Sequence, residues 1–171
     1  MRFFGIPARK MPKPEAALGV PGDGRCLFRS VAHGAYLRAG KSSPNESLEK
    51  ELADELRAKV VDEFIKRRKD TEWFLEDDFD NYIVQMRQPH VWGGEPELLM
   101  SSHVLKTAIT VYMRDKHSGS LKVIAEYGQE YGPGKDEEFD PHAILIVSLC
   151  AGKNSCSCFR SSDSFVDIRY H

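Results

Sequence analysis

Gly22-Asp23-Gly24-Arg25-Cys26-Leu27-Phe28-Arg29-Ser30 is the stretch around which the chain is organised. Two glycines and an aspartate make a turn, and a cysteine then opens an apolar-periodic helix. A helix N-terminus carries roughly half a positive charge on its free N–H groups. A thiol placed there is drawn toward thiolate, with pKa values of roughly 3.5–7.5 in such settings. Gly22 and Gly24 allow a tight turn and a close approach to a substrate. The backbone amides around Gly24, Arg25 and Cys26 are then candidates for an oxyanion hole. This is the layout that a cysteine nucleophile for acyl transfer requires.

Blander readings compete with it. A free cysteine is most often a small buried hydrophobe, and the Gly-Asp-Gly turn shifts the balance toward reactivity. A phosphate cradle over Val20 to Gly24 is the weaker reading, because the third glycine of a dinucleotide fingerprint and the Gly-Lys-Ser/Thr ending of a P-loop are missing. Asp23 also reads two ways. As a cap it accepts N–H groups two or three residues on and fixes the turn. A negative charge this close otherwise opposes thiolate formation.

Asp23-Gly-x-Cys26-Leu-Phe-Arg29 resembles the nucleophile motif of the ovarian-tumour (OTU) family of cysteine deubiquitinases. Trp92-Gly93-Gly94-Glu95-Pro96-Glu97-Leu98 followed by Ile109-Thr110-Val111-Tyr112 resembles that family's central helix and next strand. The similarity runs from about Gly19 to Gly132. It implies an α+β, papain-type cysteine protease domain with a small β-sheet packed between helices. It further implies a thiol-dependent isopeptidase that cleaves ubiquitin from lysine, with ubiquitin or polyubiquitin as partner. No metal or organic cofactor is needed for that chemistry. By the same resemblance Asp23 is counted with the active-site residues.

Bulk composition permits this and excludes other classes. The 171 residues point to one domain, long enough to bury a core without staples. With 24 basic against 26 acidic residues the net charge is −2, which gives no electrostatic case for nucleic acid or a membrane surface. No apolar run approaches the ~20 residues of a membrane span. The four cysteines, Cys26, Cys150, Cys156 and Cys158, do not form a disulfide framework. A reducing compartment, the cytoplasm, and a monomeric state are expected.

Three segments follow in order. Residues 1–18 form a basic arm with Pro7, Pro12 and Pro14, unlike a secretory signal because no apolar stretch follows the charges. Residues 19–149 form the catalytic domain, and 150–171 an irregular or disordered tail with at most a strand near Phe165 to Ile168. Within the domain, periodicity predicts helices over Cys26 to Arg38, Glu46 to Lys69, Glu72 to Arg87 in one or two pieces, and Glu95 to Leu105. Leu48, Leu52, Leu56, Val60 and Phe64 form the core stripe of the second, while Glu49, Asp54 and Arg57 fall on faces that read as solvated. Lys66-Arg67-Arg68-Lys69 suits a helix C-terminus, with an acidic-partner patch or nuclear signal as the alternative. Trp73 and Trp92 are expected in the core. Strands are predicted over Ala108 to Arg114, Leu121 to Tyr127 and Ala143 to Leu149.

A thiol nucleophile also needs a general base. His33 lies two turns along the helix from Cys26, about 10 Å by helical rise, and His90 and His103 read as structural. In the family the base stands near the domain's end in a His-aromatic-Asp/Asn pattern. His142 is the candidate there, but Ala143 replaces the aromatic and Ile144 the orienting group. The apolar strand follows this histidine instead of preceding it. Two alternatives to an active enzyme therefore stand: a ubiquitin-binding pseudoenzyme, or a truncated splice or frame-altered product whose ending was never selected to fold.

Overall fold

The computed structural model describes backbone and side chains for residues 22–75, 78–112 and 122–132, and the backbone of 113–114, 121, 144–150, 156–158 and 165–168. The basic arm, His142 and the 133–143 segment lie outside the described residues.

The α+β architecture expected from the sequence is the one found. Helix α1 (Cys26–Arg38) is buried on every side from Cys26 to Gly34, Leu27, Phe28 and Val31 among them, and ends near Gly40, whose φ of +75° favours a glycine. Helix α2 (Glu46–Lys66) starts on Asn45, whose side chain accepts the Leu48 N–H at 2.9 Å. Glu46 and Glu49 fall in its first turn, where the helix dipole favours acids. A short helix α3 (Arg68–Thr71) and a 3₁₀ turn (Glu72–Phe74) follow, then α4 (Phe79–Met86), capped by Asp78 at the Asn81 N–H. Helix α5 is Glu95–Leu105.

Among the described residues, five strands form one sheet. Strands β1 (Ile109–Arg114) and β2 (Leu121–Tyr127) are an antiparallel hairpin with a bulge between Val111 and Tyr112. Strand β3 (Ile144–Cys150) runs parallel to β1, with Ile144 opposite Ile109. Its other edge pairs with β4 (Cys156–Cys158) and, in parallel, with β5 (Phe165–Ile168). Helix α1 packs on β3 and β5 from one side and on α2 from the other, and α2 also meets α4 and α5. The helix that Cys26 opens is therefore sandwiched between the sheet and α2. No helix among the described residues is long and apolar enough to cross a membrane.

Three expectations about burial are corrected. The core face of α2 is wider than a single stripe: Ala53, Leu56, Val60, Val61 and Phe64 are buried, and so are Glu49 and Arg57, which read as solvated. The face that α1, α4 and α5 cover together is wide enough to take in charged positions, while Lys50, Glu51, Glu55 and Lys59 stay exposed on the opposite face. Trp73 is 79% exposed, with its indole N–H donated to the Asp70 carbonyl at 2.9 Å. It sits in the 3₁₀ turn after α3, where Leu75, two residues on, is the side chain that packs against the core. Trp92 is 37% exposed. Trp92→Ala is therefore expected to cost less than about 2 kcal/mol, below the 3–5 kcal/mol of a fully buried indole. A thermal melt checks this, and a larger loss would mean that the indole carries core packing.

The basic run at the end of α2 is neutralised locally. Lys66 and Arg67 pair with Glu63, and Arg68 pairs with Glu72 and with Asp80 at 2.9 and 3.0 Å. The exposed Arg68 pairs contribute little stability, but together with the partly buried Glu63 they offset the charge of Lys66, Arg67 and Arg68.

Glu97, 1% exposed in the first turn of α5, is a further buried charge. One carboxylate oxygen accepts the Gly94 N–H at 2.6 Å and the other accepts the Tyr82 hydroxyl. Burial pushes its carboxyl upward, and the Tyr82 and Gly94 donors only partly offset this. Tyr82 in turn stacks edge-on against Phe64 of α2. Glu97→Ala removes a cap and leaves a buried hydroxyl without its acceptor, together roughly 2–4 kcal/mol. Chemical denaturation should show that loss, and a loss under 1 kcal/mol would rule the linkage out.

Candidate active site

Cys26 is the first residue of α1 and is 1% exposed. Gly24, two residues earlier, has φ +83°, a conformation that a side chain resists. Space forbids a side chain as well: a Cβ on Gly24 would lie 2.2 Å from the His90 carbonyl oxygen. The turn before Cys26 is thus pressed directly against the loop that follows α4.

Three side chains brace the turn. Asp23 Oδ1 accepts the Arg25 N–H at 3.0 Å, and its Oδ2 accepts from Arg29 Nη2 at 2.9 Å. Burial raises the Asp23 carboxyl, but the Arg25 amide and the Arg29 guanidinium outweigh it, and the group is held below the usual carboxylate range. Asp54 of α2 takes the Arg25 Nε at 2.7 Å. Arg57, one turn further along α2, reaches the turn's backbone: Nη2 donates to the Gly24 carbonyl at 2.8 Å.

The same guanidinium holds the opposite wall. Nη2 also donates to the Pro89 and Val91 carbonyls at 3.1 and 2.9 Å, and Nη1 to the Met86 carbonyl at 3.1 Å. Its carbon lies 4.3 Å from the centroid of the Phe28 ring. Burial pulls the Arg57 pKa down, with Asp54 the main opposing charge. Trp92 and Gly93 continue from this wall into α5, and a Cβ on Gly93 would meet Phe28 and Glu97 at 3.3 Å.

The candidate residues are brought together in part. Asp23, Gly24, Arg25 and Cys26 form one continuous turn. Of the amides named for an oxyanion hole, that of Arg25 is engaged by Asp23. His142 falls outside the described residues, although it stands two residues before β3 begins at Ile144. His33 is buried in α1, and His90 comes against the turn through its main chain. His103 Nδ1 meets the Tyr131 hydroxyl at 2.8 Å, linking α5 to the turn after β2.

Asp54 and Arg57 were missed by sequence reasoning. Their only signal is a three-residue spacing beside the apolar stripe, and any solvated helix shows the same.

Residues 21–149 match the profile of the OTU-like cysteine protease family. The chain belongs to that family. It is 68% identical over 128 residues to the Arabidopsis thaliana OVARIAN TUMOR DOMAIN-containing deubiquitinating enzyme 4, covering 75% of this chain and 39% of that protein. It is 32% identical to deubiquitinating enzyme 3 of the same plant, covering 90% of this chain and 71% of the relative. The chain thus spans well under half of the first of these OTU relatives. Among solved structures, the OTUD1 OTU domain superposes with a TM-score of 0.55 at 19% identity, over 91% of this chain and 85% of that one. An OTU deubiquitinase of Wolbachia pipientis wMel, solved bound to ubiquitin, gives 0.53 at 15% identity over 86% and 96%. At those identities the likeness shows the OTU fold.

Proposed function

We propose that this OTU-like chain is a cysteine-type deubiquitinase that hydrolyses the isopeptide bond between ubiquitin and a lysine side chain. The observation that carries this is Cys26 at the start of α1, behind a turn that Asp23, Asp54 and Arg57 hold by hydrogen bonds. The Cys26 thiolate attacks the carbonyl carbon of ubiquitin's C-terminal glycine, forming a C–S bond. The C–N bond then breaks, and the lysine amine leaves with a proton from the base. Water attacks the thioester, giving the carboxylate and restoring the thiol. Backbone amides of the Gly24–Cys26 turn stabilise the oxyanion, and Asp23 fixes the orientation of the one at Arg25. Asp23 acts by fixing the turn. The domain comprises residues 19–149, the protein acts as a monomer, and the cytoplasm is its site of action.

A second reading has its own observation. Ile144 opens β3 and pairs with Ile109, and it stands where the family's pattern has an orienting carboxylate or amide. An apolar side chain can neither accept nor donate a hydrogen bond. If His142 is the base, its tautomer relies on the backbone or a distant acid, and loss of such an orienter costs about 10⁴ in rate. Turnover by the chain is therefore expected to be very weak and nearly insensitive to His142→Ala. Exchanging residues 133–171 for an ending that carries His-Tyr-Asp should raise it. Robust cleavage lost on His142→Ala would make that histidine a working base. A ubiquitin propargylamide probe separates the two readings: a one-to-one adduct through Cys26 marks the enzyme, and reversible binding without adduct marks a pseudoenzyme.

A further inference from the structure

We propose that Arg57 is a positioning residue that holds the peptide before Cys26 and the loop facing it in one fixed relation, an inference that rests on the deubiquitinase reading. A guanidinium is expensive to bury, and a buried one normally meets a carboxylate. Arg57 is 3% exposed, and its hydrogen bonds go to main-chain carbonyls and to the Met86 sulfur. Four carbonyls, from Gly24, Met86, Pro89 and Val91, converge on one planar fork. Packing alone does not call for such a side chain in the core of α2. Joining two irregular backbone segments does, because their carbonyls have no helix or sheet partners.

The geometry ties this clamp to the nucleophile. The Gly24 carbonyl and the Arg25 N–H belong to the same rigid peptide plane. Arg57 holds the carbonyl side of that plane at 2.8 Å, and Asp23 holds the N–H side at 3.0 Å. The plane cannot rotate without breaking one of the two, and the next residue is Cys26. The opposite wall, Met86 to Val91, is fixed by the same two nitrogens, and its His90 backbone covers Gly24. Phe28, two residues past the nucleophile, supports the underside of the guanidinium at 4.3 Å. One side chain of α2 therefore sets both the orientation of the catalytic turn and the gap between the two walls. A lysine supplies the charge but not the planar fork, so it cannot span carbonyls on both walls.

The test compares the wild-type chain with Arg57→Lys and Arg57→Met, each first checked by circular dichroism. Covalent capture by ubiquitin propargylamide should show kinact reduced about 10²-fold with KI within threefold. Hydrogen exchange followed by mass spectrometry should show amides in 22–28 and 86–93 exchanging at least tenfold faster, with the rest of α2 and α5 unchanged. A folded variant that keeps its kinact within threefold overturns the proposal. So does protection lost evenly across the chain, or unfolding of both variants, because Arg57 is then a general core residue. If the wild type forms no adduct, the deubiquitinase reading fails separately. The exchange data then decide the clamp alone: selective loss in the two segments supports it, and unchanged protection overturns it.

Discussion

Cys26→Ala is expected to abolish covalent capture by ubiquitin propargylamide while leaving the melting temperature nearly unchanged. The sulfur is the one thiol in the Gly22–Ser30 stretch, and the stretch's hydroxyl, that of Ser30, is fully buried more than a turn further into α1. Removing a triad nucleophile costs on the order of 10⁶ in kcat, which leaves nothing measurable. Packing predicts a different scale. The residue is 1% exposed, but the substitution deletes a single heavy atom, worth about 1 kcal/mol on the scale of one buried methylene. The bonds from Asp23, Asp54 and Arg57 that fix the turn do not involve the thiol. Adduct formation in the alanine variant would end the assignment of Cys26, and a collapse of the melt would mean that the thiol also has a structural role.

Gly24→Ala is expected to be nearly as damaging to capture and far more damaging to stability. Two costs coincide at this residue. At φ +83° a β-carbon is strained whatever surrounds it, on the order of 1–3 kcal/mol. The surroundings also have no room, since the new carbon would lie 2.2 Å from the His90 carbonyl oxygen and 2.7 Å from its Cα. Those atoms are backbone, held by Arg57 through Pro89 and Val91, and cannot rotate aside as a side chain would. One wall must move, and overpacking of this kind costs a further 1–3 kcal/mol or so. Either movement pulls the Gly24 carbonyl off Arg57 and tilts the peptide that precedes the nucleophile. A fall in melting temperature together with loss of adduct is the expected pair of results. An alanine variant that melts like wild type and still reacts would show that the two walls are not in contact. Gly40 provides the control: its φ is +75°, yet no atom lies within 4 Å of its Cβ position, so Gly40→Ala carries the strain without the clash.

Much of the fold was legible because it depends on local pattern. The apolar spacing of Leu27, Phe28 and Val31 marked α1 to its observed ends, and the Gly-Gly-Glu-Pro run marked the start of α5. The alternation from Ile109 and the turn before Leu121 gave the hairpin. Misreadings fell where a side chain's partner lies far along the chain. Trp73 and Trp92 look like core residues by type, but each stands in an irregular segment at an edge, where exposure depends on which helices happen to cover it. Arg57 looks like a solvated residue by type, and its acceptors are carbonyls 29 to 34 residues away or in the turn 33 residues before it. A backbone carbonyl has no letter in the sequence, so no pattern of letters could show the clamp.

By itself the sequence determined the glycine turn before Cys26, the order of the helices and of β1 to β3, and the family, because each is written in contiguous residues. Only the tertiary structure decided what holds that turn still. α2 lies across α1 at the height of Gly24, and there a buried guanidinium, an aspartate and a facing loop meet. The reason is geometric: a turn's conformation can be encoded by its own glycines, but its rigidity comes from partners that the chain brings to it only on folding.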